Sequence, residues 1–175
     1  GAGAASPVFQ KQAHRVFVCD RFAGTISVVD LTTRKTISTI PIDREPVAAA
    51  LCRQGKTLLV AHHLPEEAAT AEHVASNITV IDTKTLKPVK RIELPNGSSG
   101  VRDLIVSPDG RYAFVSHILG RYTVHTSQLE QGWMNTNAIS IIDAKNANYI
   151  TTVLLDDVDL GAANPWGLAV TQDNQ

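Results

Sequence analysis

Apolar and polar positions alternate with a period of two in short runs along most of the chain, and each run stops at a cluster of turn residues. VFVCD (16–20), TISVVD (25–30) and KTISTIPI (35–42) lead into PVAAALCRQGK (46–56). The order returns as LLVAH (58–62), NITVID (77–82), KPVKRIEL (87–94) and VRDLIVSPDGR (101–111). It returns again as AFVSH (113–117), AISIID (138–143), NYITTVLL (148–155) and PWGLAVTQDNQ (165–175). The runs are strand-length and rich in Val, Ile and Thr, residues that suit a pleated, half-buried surface. Asp30, Asp82 and Asp143 end the same strand in each repeat, and a polar turn follows each (LTTRK, TKTLK, AKNAN). CRQGK, SPDGR and TQDNQ fill one equivalent turn, with Gly or Asn where a positive φ is expected. Helical periodicity is confined to PEEAATAEHVA (65–75), inside an insertion.

Four short antiparallel strands per unit, repeating at slightly more than about forty residues, predict an all-β fold of the β-propeller kind. A sandwich would leave the repeat unexplained. The pattern hYV, ThSVID, KVhxTIPV and PxGhAhSPDGK, with h apolar, resembles YVTN-type β-propeller repeats over nearly the whole chain from Arg15 onward. More narrowly, SHILGRYTVHTSQLEQGWMNTNAISIID and TTVLLDDVDLGAANPWGLAVT are similar to bacterial proteins that join such a propeller to a di-haem, cytochrome c peroxidase-like region. Those regions carry CxxCH motifs; this chain has none, so covalent haem and haem-dependent peroxidase activity are not carried over.

The resemblance implies that the PxGhAhSPDGK segment is the inner strand of a four-stranded blade. Residues 1–14 then read as an N-terminal tail and 15–175 as a partial β-propeller. Strands two to four of one blade fall at 16–42, full blades at 46–95 and 101–155, and an orphan inner strand at 165–171. About three blades' worth of strands is short of the four to eight that close a ring. Two readings stay open: a piece of a longer propeller chain, or half of a ring that a second copy closes.

Propeller topology also sorts the loops. Those from strand two to three (21–24, 63–76, 117–137) and from strand four to one (43–46, 95–100, 156–165) emerge on one face, and every long loop is among them. Long loops gathered on a rigid scaffold are where binding is usually placed. The binding-face candidates are Arg21, His62, Arg102, Asp103 and His117, with Arg121, Tyr122, His125 and Trp133 in the longest excursion and Trp166 beyond it. Asp20, His62 and His117 are repeat equivalents, and His63 and His73 lie nearby. Neutral imidazoles at His62 and His117 suit a transition metal or an axial haem position, or else they hydrogen-bond loop backbone. Asp156, Asp157 and Asp159 form a DDVD run open to Ca²⁺ or to a loop-stabilising acidic turn; the Gly and distal Glu of an EF-hand loop are missing. Arg102–Asp103 reads as a local ion pair or an inter-blade bridge, and the two tryptophans with Tyr122 as an apolar platform or loop packing.

A net charge of −1 over 175 residues excludes the global basicity of a nucleic-acid binder. No apolar run could span a bilayer. Cys19 and Cys52 lack metal or haem spacing and read as two small buried thiols rather than a disulfide. No nucleophile elbow, P-loop or dinucleotide turn is present, so no catalytic activity is expected of this chain alone. The expected function is a binding scaffold, exported from a bacterial cell to periplasm or cell surface, whose long-loop face docks a partner such as a haem electron-transfer domain. One alternative is a metal- or haem-binding redox module using rim histidines, as in the propellers of haem-d nitrite reductases. Another is a surface-layer or adhesive structural protein.

Overall fold

A computed structural model of the protein describes residues 2–120, 135–156 and 164–173. Its strands form three four-stranded antiparallel sheets, each with its strands in chain order. The first holds β1 (Ala4–Gln10), β2 (Arg15–Asp20), β3 (Thr25–Asp30) and β4 (Lys35–Pro41). The second holds β5 (Pro46–Cys52), β6 (Thr57–His62), β7 (Asn77–Asp82) and β8 (Lys87–Glu93). The third holds β9 (Ser98–Val106), β10 (Tyr112–Gly120), β11 (Asn135–Asp143) and β12 (Asn148–Leu154). Strand β1 packs beside β5, and β5 beside β9, so the first strands of the sheets line one side. The sheets do not close into a barrel; they are the blades of an open, partial propeller of about three blades.

Blade stacking explains where the period-two pattern breaks. In β6 all six residues of TLLVAH are buried. Leu58 and Val60 face the first blade, joining Phe17, Cys19, Ile26 and Val28 in one core. Leu59 and Ala61 face the third blade with Ile78, Val80, Leu104, Val115 and Ile142. A strand covered on both faces reads as a continuous apolar run, and each fully buried Leu or Ile contributes about 1.5–3 kcal/mol.

The expectation for residues 1–14 is corrected. Ala4–Gln10 is an inner strand, paired with β2 through Ala4↔Asp20, Phe9↔Val16 and Gln10↔Arg15, with a bulge between Ala5 and Val8. Ala5 and Val8 pack on the first inter-blade core, so the strand gains burial that a tail would forgo. The first blade is therefore complete. Conversely, residues 165–171 join no strand ladder among the described residues, although they lie against β9. The third blade is also taller than expected: its ladder continues past His117 to Ile118↔Asn137, Leu119↔Thr136 and Gly120↔Asn135.

The repeated aspartates close their hairpins as the sequence pattern predicts. Asp30 accepts hydrogen bonds from the Thr33 amide and hydroxyl, Asp82 from the Lys84 and Thr85 amides, and Asp143 from the Lys145 and Asn146 amides. These N–H donors hold all three carboxyls below the usual carboxylate range. The next strand is then entered through a left-handed residue at φ 58°, 56° and 55° (Arg34, Leu86, Ala147). At this end of the blades Gln10 Nε2 donates to the Gly55 carbonyl at 2.6 Å and to Thr83 Oγ1 at 3.2 Å, stitching the first blade to the second. Cys52 Sγ donates to the Ala144 carbonyl at 3.5 Å across the second seam. Both cysteines are free and buried, and burial pushes Cys19 up to about 12 and Cys52 up to about 11.

Candidate functional site

The long-loop end is knitted from loops of different blades. Arg21, in the β2–β3 loop, pairs with Glu45 of the β4–β5 loop at 2.9 Å. Next to it the Arg44 amide donates to Glu66 at 3.0 Å and its Nε to the Pro65 carbonyl at 2.7 Å, so the start of the 63–76 insertion is held by the neighbouring blade junction. Arg91 bridges Asp43, at 3.5 Å, and Glu67. Asn77 Nδ2 also donates to Asp43, at 2.9 Å. The far end of the insertion is fixed by Asn96, which accepts from the Val74 amide at 2.9 Å and donates to the Glu72 carbonyl at 3.1 Å. These bonds leave two hollows flanking the insertion. One, of about 360 Å³, lies between Ala69, Val74, Gly97, Ser99 and Gly120. The other, of about 430 Å³, lies between Arg21, Phe22, Ile42, Arg44 and Glu66.

Asp20, His62 and His117 share one geometry, set by their equal place at the end of the second strand. Each reaches diagonally to a hydroxyl on the third strand: Ser27 at 2.5 Å, Thr79 at 2.8 Å and Ser140 at 2.8 Å. The other ring nitrogen of His62 meets the Arg44 carbonyl at 3.0 Å, and that of His117 meets the Ile118 carbonyl at 3.1 Å. A carbonyl only accepts, so Nδ1 carries the proton in both rings and Nε2 accepts from the hydroxyl. Both histidines are fully buried, and burial holds them below the ordinary histidine value. Around His117 the direction propagates. Ser140 must donate to His117, Thr152 donates to Ser140 at 2.7 Å, and Tyr149 donates to Thr152 at 3.0 Å. Both nitrogens of each ring are engaged, so each ring ties loop or strand backbone to a hydroxyl on the third strand. Among the described residues no three His, Cys, Asp or Glu side chains form a metal cluster.

The other predicted residues separate. Arg102 and Asp103 do not pair with one another. Arg102 stacks over the Trp166 ring at 4.7 Å, while Asp103 accepts from the Leu168 amide at 2.8 Å. Asp103 thus ties β9 to the segment 165–171, and Trp166 is 71% exposed. Asp156 is a loop clamp: Asn137 donates to it from its amide at 2.9 Å and from Nδ2 at 2.5 Å. His63 Nδ1 donates to the Val101 carbonyl at 2.8 Å, and His73 stands 4.0 Å from Glu93. Arg121, Tyr122, His125, Trp133, Asp157 and Asp159 lie outside the described residues. Sequence reasoning passed over Arg44, Glu45, Glu66 and Arg91; their signal was the dense opposite charge of DREP (43–46) beside PEE (65–67).

No family model matches the chain. It is 26% identical over 148 residues to hydrazine synthase subunit beta of Kuenenia stuttgartiensis, covering 84% of this chain and 36% of that protein. It is 33% identical over 110 residues to antigen Lp49 of Leptospira interrogans (serogroup Icterohaemorrhagiae, serovar copenhageni), covering 61% of this chain and 24% of the relative. The chain thus spans only about a third or less of the curated relatives it matches. Among solved structures, Kuenenia stuttgartiensis hydrazine synthase superposes with a TM-score of 0.56 at 20% identity, over 98% of this chain and 59% of that one. The dihydro-haem d1 dehydrogenase NirN, solved in complex with DHE, gives 0.59 at 19% identity, over 81% and 26%. At these identities the likeness is one of fold.

Proposed function

We propose that the chain is a propeller module of the YVTN-repeat type, working outside the cytoplasm of a bacterium as a docking scaffold for a haem-bearing electron-transfer domain. The observation that carries this is the cross-blade knitting of the long-loop end by Arg21–Glu45, Arg44–Glu66 and Asp43–Arg91–Glu67. Rigid, charged loops flanking two hollows suit recognition of another protein's surface, where few side chains reorder on binding. Rim histidines with both nitrogens engaged favour a scaffold over a haem-ligating centre in this chain. Support for a partner chain comes from the name of a relative, a subunit of hydrazine synthase, and for haem from that of a structural neighbour, a dihydro-haem d1 dehydrogenase. That no described helix is long and apolar enough to cross a membrane is compatible with export as a peripheral module.

The test is a titration of the chain with a purified bacterial di-haem cytochrome c peroxidase-like domain. Saturable binding is expected, weakened at least about tenfold by Arg44→Glu. A haem domain that does not bind, or binds the variant equally, contradicts the docking reading.

A further inference from the structure

The net charge of −1 conceals a separation of charge along the blades. The strand-one-to-two and strand-three-to-four turns emerge at the end opposite the long loops. Hydrogen bonds hold them in one layer: Gln10 to Gly55 across the first seam and, between turns of one blade, the Thr83 amide to the Lys56 carbonyl and the Ala144 amide to the Arg111 carbonyl. In the first blade these turns expose Lys11, Arg34 and Lys35. In the second they expose Arg53, Lys56, Lys84 and Lys87, and in the third Lys145. None of these eight is in an ion pair among the described residues. The carboxylates at this end are fewer, and most are held by hydrogen bonds within their own turns. Asp30, Asp82 and Asp143 fold onto their own turn amides, and Asp109 onto Ser107 and Arg111; Asp173 adds one more. At the long-loop end the balance reverses, with Glu45, Glu66, Glu67, Glu72 and Glu93 among its carboxylates.

Two further features give the basic end its character. Six of its eight unpaired cations are lysines, flexible point charges spread over the turns of all three blades rather than gathered in a recess. Beside the turns stand exposed aromatic rings: Phe9 (51% exposed), Tyr112 (39%) and Tyr149 (39%). The Arg111 guanidinium lies 5.7 Å over Tyr112. A protein epitope calls for a shaped hollow with buried anchors, and both hollows described above belong to the other end. Broadly spread lysines fringed by half-exposed aromatics instead match a plane of mobile anionic headgroups, with rings at the interfacial level. We propose that the tight-turn end seats the propeller peripherally on a bilayer rich in anionic lipid.

Flotation with vesicles tests this on the whole chain. Phosphatidylcholine vesicles carrying about a third phosphatidylglycerol should bind at least about tenfold more protein than phosphatidylcholine alone, and binding should collapse between about 0.05 and about 0.5 M salt. The triple variant Lys35→Glu/Lys84→Glu/Lys145→Glu, one exposed lysine per blade, should lose that binding with an unchanged circular dichroism spectrum. The corresponding Lys→Arg triple variant should keep it, and so should Arg21→Glu at the other end. The proposal is overturned if both vesicle types bind equally or neither binds, or if the folded Glu variant binds as the parent does. Capture by heparin with no vesicle binding also overturns it, since that is polyanion binding without a bilayer.

Discussion

The Asp103 carboxylate accepts the Leu168 amide at 2.8 Å, and two blades earlier in the same position Ser6 Oγ accepts the Ala49 amide at 2.9 Å. Ser6 and Asp103 hold the same place on β1 and β9, and Ala49 and Leu168 hold the next place on the following inner segment. One inter-blade bond therefore joins first blade to second and third blade to the segment 165–171. Leu168 thus holds on its segment the place that Ala49 holds on β5. Asp103→Ala should remove the Leu168 amide's protection in hydrogen exchange and lower stability by about 1–2 kcal/mol, while amides of β6 keep theirs. An unchanged Leu168 exchange rate would contradict the bridge.

The first blade's inner strand gives a second prediction. Gln10 is buried and donates to Gly55 and Thr83 while accepting from Arg15 Nε at 2.6 Å. Gln10→Ala should cost about 1–3 kcal/mol by leaving buried partners unmet. Deleting residues 1–10 should cost far more, because it uncovers the inter-blade core on which Ala5 and Val8 pack. Urea unfolding measures both; a truncation as stable as the parent would restore the tail reading.

Acid should act first through the buried histidines. Burial disfavours the imidazolium of His62 and His117, so each titrates below its ordinary 6.5 in the folded chain. Below that pH the unfolded chain binds more protons than the folded one. Stability contributed by the two rings is full above about pH 6.5 and is lost as pH falls through their depressed folded values. The urea midpoint should therefore drop from about pH 7.5 to about pH 5.5, before carboxylate protonation matters, and the drop should shrink in His62→Gln/His117→Gln. His117→Ala alone should cost about 2–4 kcal/mol, since it opens a cavity and strands Ser140 and the Ile118 carbonyl. A midpoint flat across that range would contradict the buried, neutral assignment.

Thiol chemistry offers a check on the cores. With Cys19 pushed up to about 12 and Cys52 to about 11, almost no thiolate exists at neutral pH, and both sulfurs are shielded. The native chain should take up no iodoacetamide over hours and two equivalents once unfolded, read by intact mass. Fast native labelling of either cysteine would contradict the packing.

Most of the fold was legible because each blade repeats the same local chemistry: alternating strands, an aspartate closing each hairpin, and a left-handed residue after it. What escaped departs from that chemistry. In KQAHR the left-handed residue is His14, at φ 47°, one place later than Gly110 in SPDGR, and Ser6 and Pro7 sit at a bulge; the first inner strand carries no repeat signature. The extra rungs at Ile118–Gly120 look like loop because Gly120, Asn135 and Asn137 are turn residues. Of the site, the face that gathers long loops followed from topology, but its bonds did not. Arg44–Glu66 and Arg91–Glu67 join residues far apart in sequence, and the partition of Arg102 and Asp103 between Trp166 and Leu168 depends on a segment from beyond the third blade. Summed charge likewise hides the opposed ends.

Hydrogen–deuterium exchange of the chain, alone and saturated with the haem-bearing domain, tests the docking claim most directly. New protection should be confined to the loops at 21–24, 43–45, 63–76 and 95–99, and should vanish with Arg44→Glu. Protection at the turns after Asp30, Asp82 and Asp143, or none anywhere, would contradict it.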